Sequence, residues 1–168
     1  MRSPSASPKG LRLNWGDRIV KWLLLDRLQR FEGLSYLLLR LVTGAFLIFQ
    51  SQDNVFSTER MKEFELFLDH FGFWAPHIMA PLCVWTQFLC GFAFMLGLFT
   101  RLAGLLTIVT FVVAVWMVHW PEGFAGWWPA LILVFLGNLF ASWGGGRYSL
   151  DAAIEKRSAH DRNKSEAT

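Results

Sequence analysis

Charge is scarce in this chain. Asp, Glu, Lys and Arg together make 17% of the 168 residues, where an ordinary soluble domain carries about 25%. No acidic side chain falls within residues 34–51, 77–99, 102–120 or 127–143, and the basic groups there are Arg40 and two terminal histidines, His77 and His119. A soluble helix of such length shows a charged outer face. Four apolar stretches within about 110 residues leave too little polar chain to wrap buried hairpins in a water-soluble shell. The shortage of charge therefore excludes an ordinary soluble domain.

Chemistry-bearing motifs are equally sparse. The two cysteines, Cys83 and Cys90, lie two turns apart on one helix, about 10.5 Å by helical rise, too far to bond to each other. They are small packing residues in an apolar stretch, and such cysteines say nothing of redox compartment. His70, His77, His119 and His160 show no HxxxH spacing, and there is no CxxC. No metal site is expected from them. A Gly-rich phosphate loop, a nucleophile elbow and paired intramembrane carboxylates are all missing, so the sequence holds no complete catalytic set.

What the chain has in quantity is apolar surface: 54% apolar and 16% aromatic side chains. A helix needs about 20 such residues to cross the hydrocarbon layer, and the four stretches above qualify. The expected fold class is an all-α membrane protein, a four-transmembrane-helix bundle over residues 34–154. Residues 1–13, dominated by Ser, Pro, Lys and Gly, read as a disordered leader. In "NWGDRIVKWLLLDRLQRFEG", residues 14–33, Asn14 suits an N-cap. Two readings fit that segment: a basic interfacial helix on the cytoplasmic leaflet, or an extension of the first span, with Gly33 the only break. Residues 155–168 read as a cytoplasmic tail, disordered after Arg157.

Between the first two spans, "STERMKEFELFLDHFGFWAP" places Met61, Phe64, Leu68 and Phe71 at helical spacing. A short amphipathic helix is expected in this outer loop, with Gly72 as its C-terminal cap and Pro76 barring continuation. Trp74, Trp116, Trp120, Trp127 and Trp128 fall at the same boundary and form an aromatic belt. Basic residues gather before span one, at Arg101 and after span four, while the outer connections hold only Arg60 and Lys62 among acidic groups. Both termini are therefore expected in the cytoplasm. The net charge of +3 reflects this asymmetry and an attraction to anionic headgroups, and nucleic acid is not an expected partner.

Arg40 stands about six residues, ~9 Å, inside its helix. It either snorkels to the headgroups or faces the bundle interior and holds an acceptor there. Thr43, Gly44, Leu47, Gln50, Ser51 and Asn54 share or flank its face, giving span one a small, polar seam. Span two has a similar seam of Cys83, Gln87, Cys90, Gly91 and Phe94, in which the Gln87 amide must find a partner. Asn138 and Ser142 on span four suit interhelical contacts. His119, beside Trp120 and Glu122, is either an interfacial, hydrogen-bonded histidine or a site of ligation or proton exchange. Arg40, Gln50, Asn54, Gln87 and His119 are the candidate ligand-binding residues.

Four stretches resemble the DoxX family of four-helix membrane proteins: "LLLRLVTGAFLIF", "GFAFMLGLFTRLAGLL", "VHWPEGF" and the closing "GGGRYSLDA", together spanning about residues 34–154. The resemblance implies a single-domain bundle in the bacterial inner membrane, and a role as a membrane subunit in redox chemistry around the quinone pool. Two positions depart from the family pattern. "QSQDN" stands where a Gly and a Lys commonly follow span one, and Gln87, which cannot ionise, stands where a Glu commonly precedes the span-two glycines. The sequence thus points to an accessory subunit with no intrinsic cofactor, holding a quinone-like headgroup while a soluble or membrane oxidoreductase partner supplies the redox centres. Two alternatives stand beside it: a small-solute carrier, which could pair as a homo-oligomer around a shared path, and an assembly scaffold without a ligand.

Overall fold

The computed structural model describes residues 30–166. The expected leader, and all but the last four residues of the expected 14–33 helix, lie outside that range. Among the described residues six α-helices follow in order: α1 Glu32–Phe56, α2 Thr58–His70, α3 Pro76–Leu96, α4 Thr100–Ala114, α5 Gly123–Trp143 and α6 Leu150–Glu166. A π-helical turn, Val115–His119, and a 3-10 turn, Trp120–Glu122, join α4 to α5. No strand occurs among the described residues. The helices α1, α3, α4 with its π turn, and α5 are each long and apolar enough to cross a membrane. We call the end where α1 begins and α5 finishes the near end, and the opposite one the far end.

Helix boundaries follow local chemistry. Ser57 caps α2, its hydroxyl accepting the Arg60 N–H at 3.3 Å. The expected stop at Gly72 occurs: Gly72 N–H donates to the Asp69 carbonyl and Phe73 N–H to the Leu68 carbonyl, the paired bonds of a Schellman ending. The same ending closes α3, where Gly97 N–H bonds Phe94 and Leu98 N–H bonds Ala93. Gly97 has φ +66°, and a Cβ there would lie 2.7 Å from Arg40 Nη1, so both its conformation and its space require glycine. Span three departs from expectation at its far end, where the α-helix yields to a π turn. Pro121 has no N–H for the carbonyl one turn behind it, and the ladder there is rearranged.

The expected disordered tail is corrected by α6, which runs through Glu166. Ser149 Oγ accepts the Ala152 N–H at 3.1 Å, an N-cap bond, and the Ala, Glu, Lys and Arg that follow are good helix formers. Composition showed polarity and missed the cap.

Two hairpins of similar build make the bundle. In one, α1 crosses α3 at Gly44 and Gly91: a Cβ on Gly44 would lie 2.6 Å from the Gly91 carbonyl oxygen. In the other, α4 crosses α5 at Gly104 and Gly137, and a Cβ on Gly104 would again lie 2.6 Å from the facing carbonyl oxygen. Phe94 and Phe140, three residues beyond Gly91 and Gly137, are fully buried and pack on each other with centroids 4.7 Å apart. Lipid is as apolar as leucine, so close van der Waals approach rather than a hydrophobic gain holds such helices together. The buried hydroxyls of Thr43, Ser51 and Thr107 donate to carbonyls one turn back on their own helices, which satisfies them without a partner helix. Asn138 and Ser142 are instead exposed on α5.

Candidate functional site

Two polar constellations stand at different depths. The first is a ring at the near end centred on Arg40, which is 1% exposed and therefore faces the interior instead of snorkelling. Its Nη1 donates to the Gly145 carbonyl, and Nη2 to the Tyr148 carbonyl at 2.6 Å. Tyr36, one turn earlier on the same face, donates its hydroxyl to the Gly144 carbonyl. Gly144 and Gly146 adopt φ +74° and +72°, which folds the chain after α5 tightly enough to aim these carbonyls at the guanidinium. Arg40 thus meets carbonyls of the turn that follows α5. Its Nε and the Thr100 Oγ1 have no partner among the described residues.

The ring is completed by Asp151 and Arg101. Asp151 accepts the Phe99 N–H at 2.8 Å and the Thr100 N–H at 3.0 Å, capping the positive start of α4. Its own N–H donates to the Gly97 carbonyl at 2.9 Å. Arg101 Nη1 donates to the Ala141 and Ser142 carbonyls at 3.2 and 2.9 Å. Every helix end on this side is therefore tied to the "GGGRYSLD" segment. Asp151→Ala is expected to cost about 1–2 kcal/mol through the lost cap, read as a lower unfolding midpoint in detergent.

The second constellation is a cavity of about 700 Å³ in the far half, between α1 and α3 on one side and α4 and α5 on the other. That volume suits a drug-sized molecule. Its polar lining groups are Gln50, Cys83, Thr86, Gln87, Thr110 and His119, and no Asp, Glu, Lys or Arg lines it among the described residues. Phe64, Phe67 and Leu68 of α2, with Phe73, wall its far end; the amphipathic helix covers this cavity. Gln87 Nε2 donates to Cys83 Sγ at 3.1 Å, a weak acceptor, which leaves most of the amide's hydrogen-bonding capacity unused.

Of the five residues expected to bind a ligand, the structure brings Gln50, Gln87 and His119 to this cavity. Arg40 lies at the near-end ring, its terminal nitrogens committed to the turn. Asn54 is half-buried and does not line the cavity. Sequence reasoning missed Thr86 and Thr110 because a threonine in a span reads as a self-bonded packing residue. It missed Tyr36 and Asp151 as well, although Tyr36 precedes Arg40 by one helical turn. His119 sits at the end of the π turn, a distortion common at functional sites. No cluster of His, Cys, Asp or Glu able to hold a metal occurs among the described residues.

No curated protein and no solved structure matches the chain. The family model described as DoxX matches residues 35–120, which covers the first three spans and α2, the Gly44–Gly91 crossing and the π turn. The "GGGRYSLD" segment lies beyond that match, so its tie to Arg40 rests on the structure. With four helices fit to span a bilayer and a match over half its length, the chain is a multi-pass membrane protein that belongs to the DoxX family.

Proposed function

We infer that this protein is an accessory subunit of a membrane oxidoreductase, holding a quinone headgroup in the far-half cavity while a partner subunit carries the redox centres. The observation that carries the reading is the cavity itself: about 700 Å³, lined by apolar side chains and a few hydrogen-bonding groups, with no Asp, Glu, Lys or Arg among the described lining residues. A neutral carbonyl-bearing ring matches such a lining, because a charged ligand would enter low dielectric without a counter-charge. The absence of a catalytic set among the sequence motifs assigns electron transfer to the partner. The same reading puts the chain in a bacterial inner membrane with both termini in the cytoplasm. Arg101, Arg147, Lys156 and Arg157 at the near end supply the asymmetry that favours this orientation.

The test is purification in mild detergent from native membranes, with mass spectrometry of co-purifying proteins and extraction of bound quinone. A stoichiometric dehydrogenase, sulfurtransferase or cytochrome is expected. A preparation free of any redox protein would remove the subunit reading and favour a carrier or scaffold.

A further inference from the structure

Three of the cavity's polar groups share one depth. Gln50 lies about ten residues past Arg40, Gln87 about ten before Gly97, and Thr110 about ten past Thr100, so each stands ~15 Å along its helix from the near-end ring. With the near-end ring, where α3 ends and α4 begins, set at the boundary of a hydrocarbon layer about 30 Å thick, that is the middle of the layer. Thr86 adjoins them. His119 lies nine residues beyond Thr110 on the same span, ~13 Å further toward the far end, too far to share one ring-sized headgroup with Gln87.

The cavity also has an open flank at that depth. Phe46, Gln50, Leu82, Leu106, Val109 and Val113 line it and are exposed, Val109 at 63%, whereas at its far-end wall Leu68 is buried, Phe64 and Phe73 are half-buried and Phe67 alone is exposed, at 42%. The exposed members come from α1, α3 and α4 at bilayer depth, where their neighbour is lipid. An amide and two hydroxyls reachable from hydrocarbon are costly unless something supplies the missing bonds. Among the described residues neither the Thr86 nor the Thr110 hydroxyl is held by a side-chain hydrogen bond, unlike Thr43 and Thr107, which bond their own helices.

We propose that the cavity takes a neutral, membrane-dissolved molecule that enters sideways from the lipid and docks a carbonyl or hydroxyl headgroup on Gln50, Thr86, Gln87 and Thr110 at mid-bilayer. This deepens the ligand reading above and rests on it only in using the same cavity. Gln87 donates an N–H to the headgroup oxygen. The threonine hydroxyls add a donor or an acceptor as the headgroup requires. His119 contacts the tail-side part of the ligand or none of it, and α2 walls off the far end.

The test uses a long-chain dialkyl ketone carrying a diazirine beside its carbonyl, dissolved in liposomes that hold the full chain. Photolabelled residues are located by peptide mass spectrometry, and yield is measured with and without excess unlabelled ketone. Saturable labelling is expected around Leu82, Leu106 and Val109. Gln87→Leu and the near-isosteric Thr110→Val should each lower it by about tenfold, the loss of one good hydrogen bond, and His119→Phe by less than about twofold. Val109→Trp at the flank should slow labelling, and Phe67→Trp at the far-end wall should not.

Labelling that is non-saturable, or centred near His119, overturns the proposal, as does a Phe67→Trp block with Val109→Trp inert. Because a dialkyl ketone has no reversible quinone-type redox couple, saturable mid-depth labelling without any co-purified quinone keeps this inference and removes the redox reading. Retained quinone without mid-depth labelling does the reverse.

Discussion

Arg40→Met is expected to destabilise the bundle by about 3–5 kcal/mol, the worth of two charge-assisted hydrogen bonds. The loss exceeds that of an ordinary surface arginine because the Gly145 and Tyr148 carbonyls then face low dielectric without donors. Arg40→Lys should recover part of it, since an ammonium can reach one carbonyl but lacks the planar fork that meets both. Equilibrium unfolding in mixed detergent reads this directly. The near-end ring predicts that ligand retention by the folded fraction of Arg40→Met matches wild type, because Arg40 does not line the cavity. A folded fraction that is stable but ligand-free would assign Arg40 to binding.

Gly44→Val is expected to be comparably severe, and for the opposite physical reason. Any Cβ at position 44 would lie 2.6 Å from the Gly91 carbonyl oxygen and 2.8 Å from Met95 Cγ. The first obstacle is backbone and cannot rotate away, so α1 and α3 must separate. Overpacking of this kind costs about 1–3 kcal/mol and at times more, and a separated hairpin also loses the contacts on either side of the crossing. Gly104→Val should behave alike at the α4–α5 crossing, where the Gly137 carbonyl oxygen and the Ala141 nitrogen each stand 2.6 Å from the new Cβ. Val42→Ala, at an exposed position on α1, should change stability by less than about 0.5 kcal/mol. Thermal aggregation curves of these three variants and the wild type in one detergent separate these outcomes; a tolerated Gly44→Val would mean that the hairpin does not depend on close approach.

The spans and the outer helix were legible because their signals are local. Twenty apolar residues without an acid describe a spanning helix whatever the rest of the chain does, and Gly72 ends α2 by its own geometry. The Ser149 cap that starts α6 was equally local, yet low hydrophobicity masked it. The near-end ring was not legible, since Arg40 meets carbonyls more than a hundred residues away and backbone acceptors leave no mark in side-chain composition. Sequence spacing allows Arg40 to be buried or to snorkel, but it names no acceptor for the guanidinium. The cavity fell between these cases. Gln50, Gln87 and His119 could be singled out as polar groups in apolar surroundings, but Thr86 and Thr110 enter only through the packing of α3 against α4. A spacing rule within one helix cannot report depth matches between helices.

Quinone held in the far-half cavity through Gln87 is the core of the proposed function. The most direct measurement is quantitation of quinone extracted from wild-type and Gln87→Leu proteins, each purified from the native membrane and normalised to protein. Enrichment over the co-purified lipid background is expected for wild type, and a loss of about tenfold for the variant, with both proteins eluting as the same folded species. Background-level quinone in the wild type, or equal enrichment in both, would contradict it.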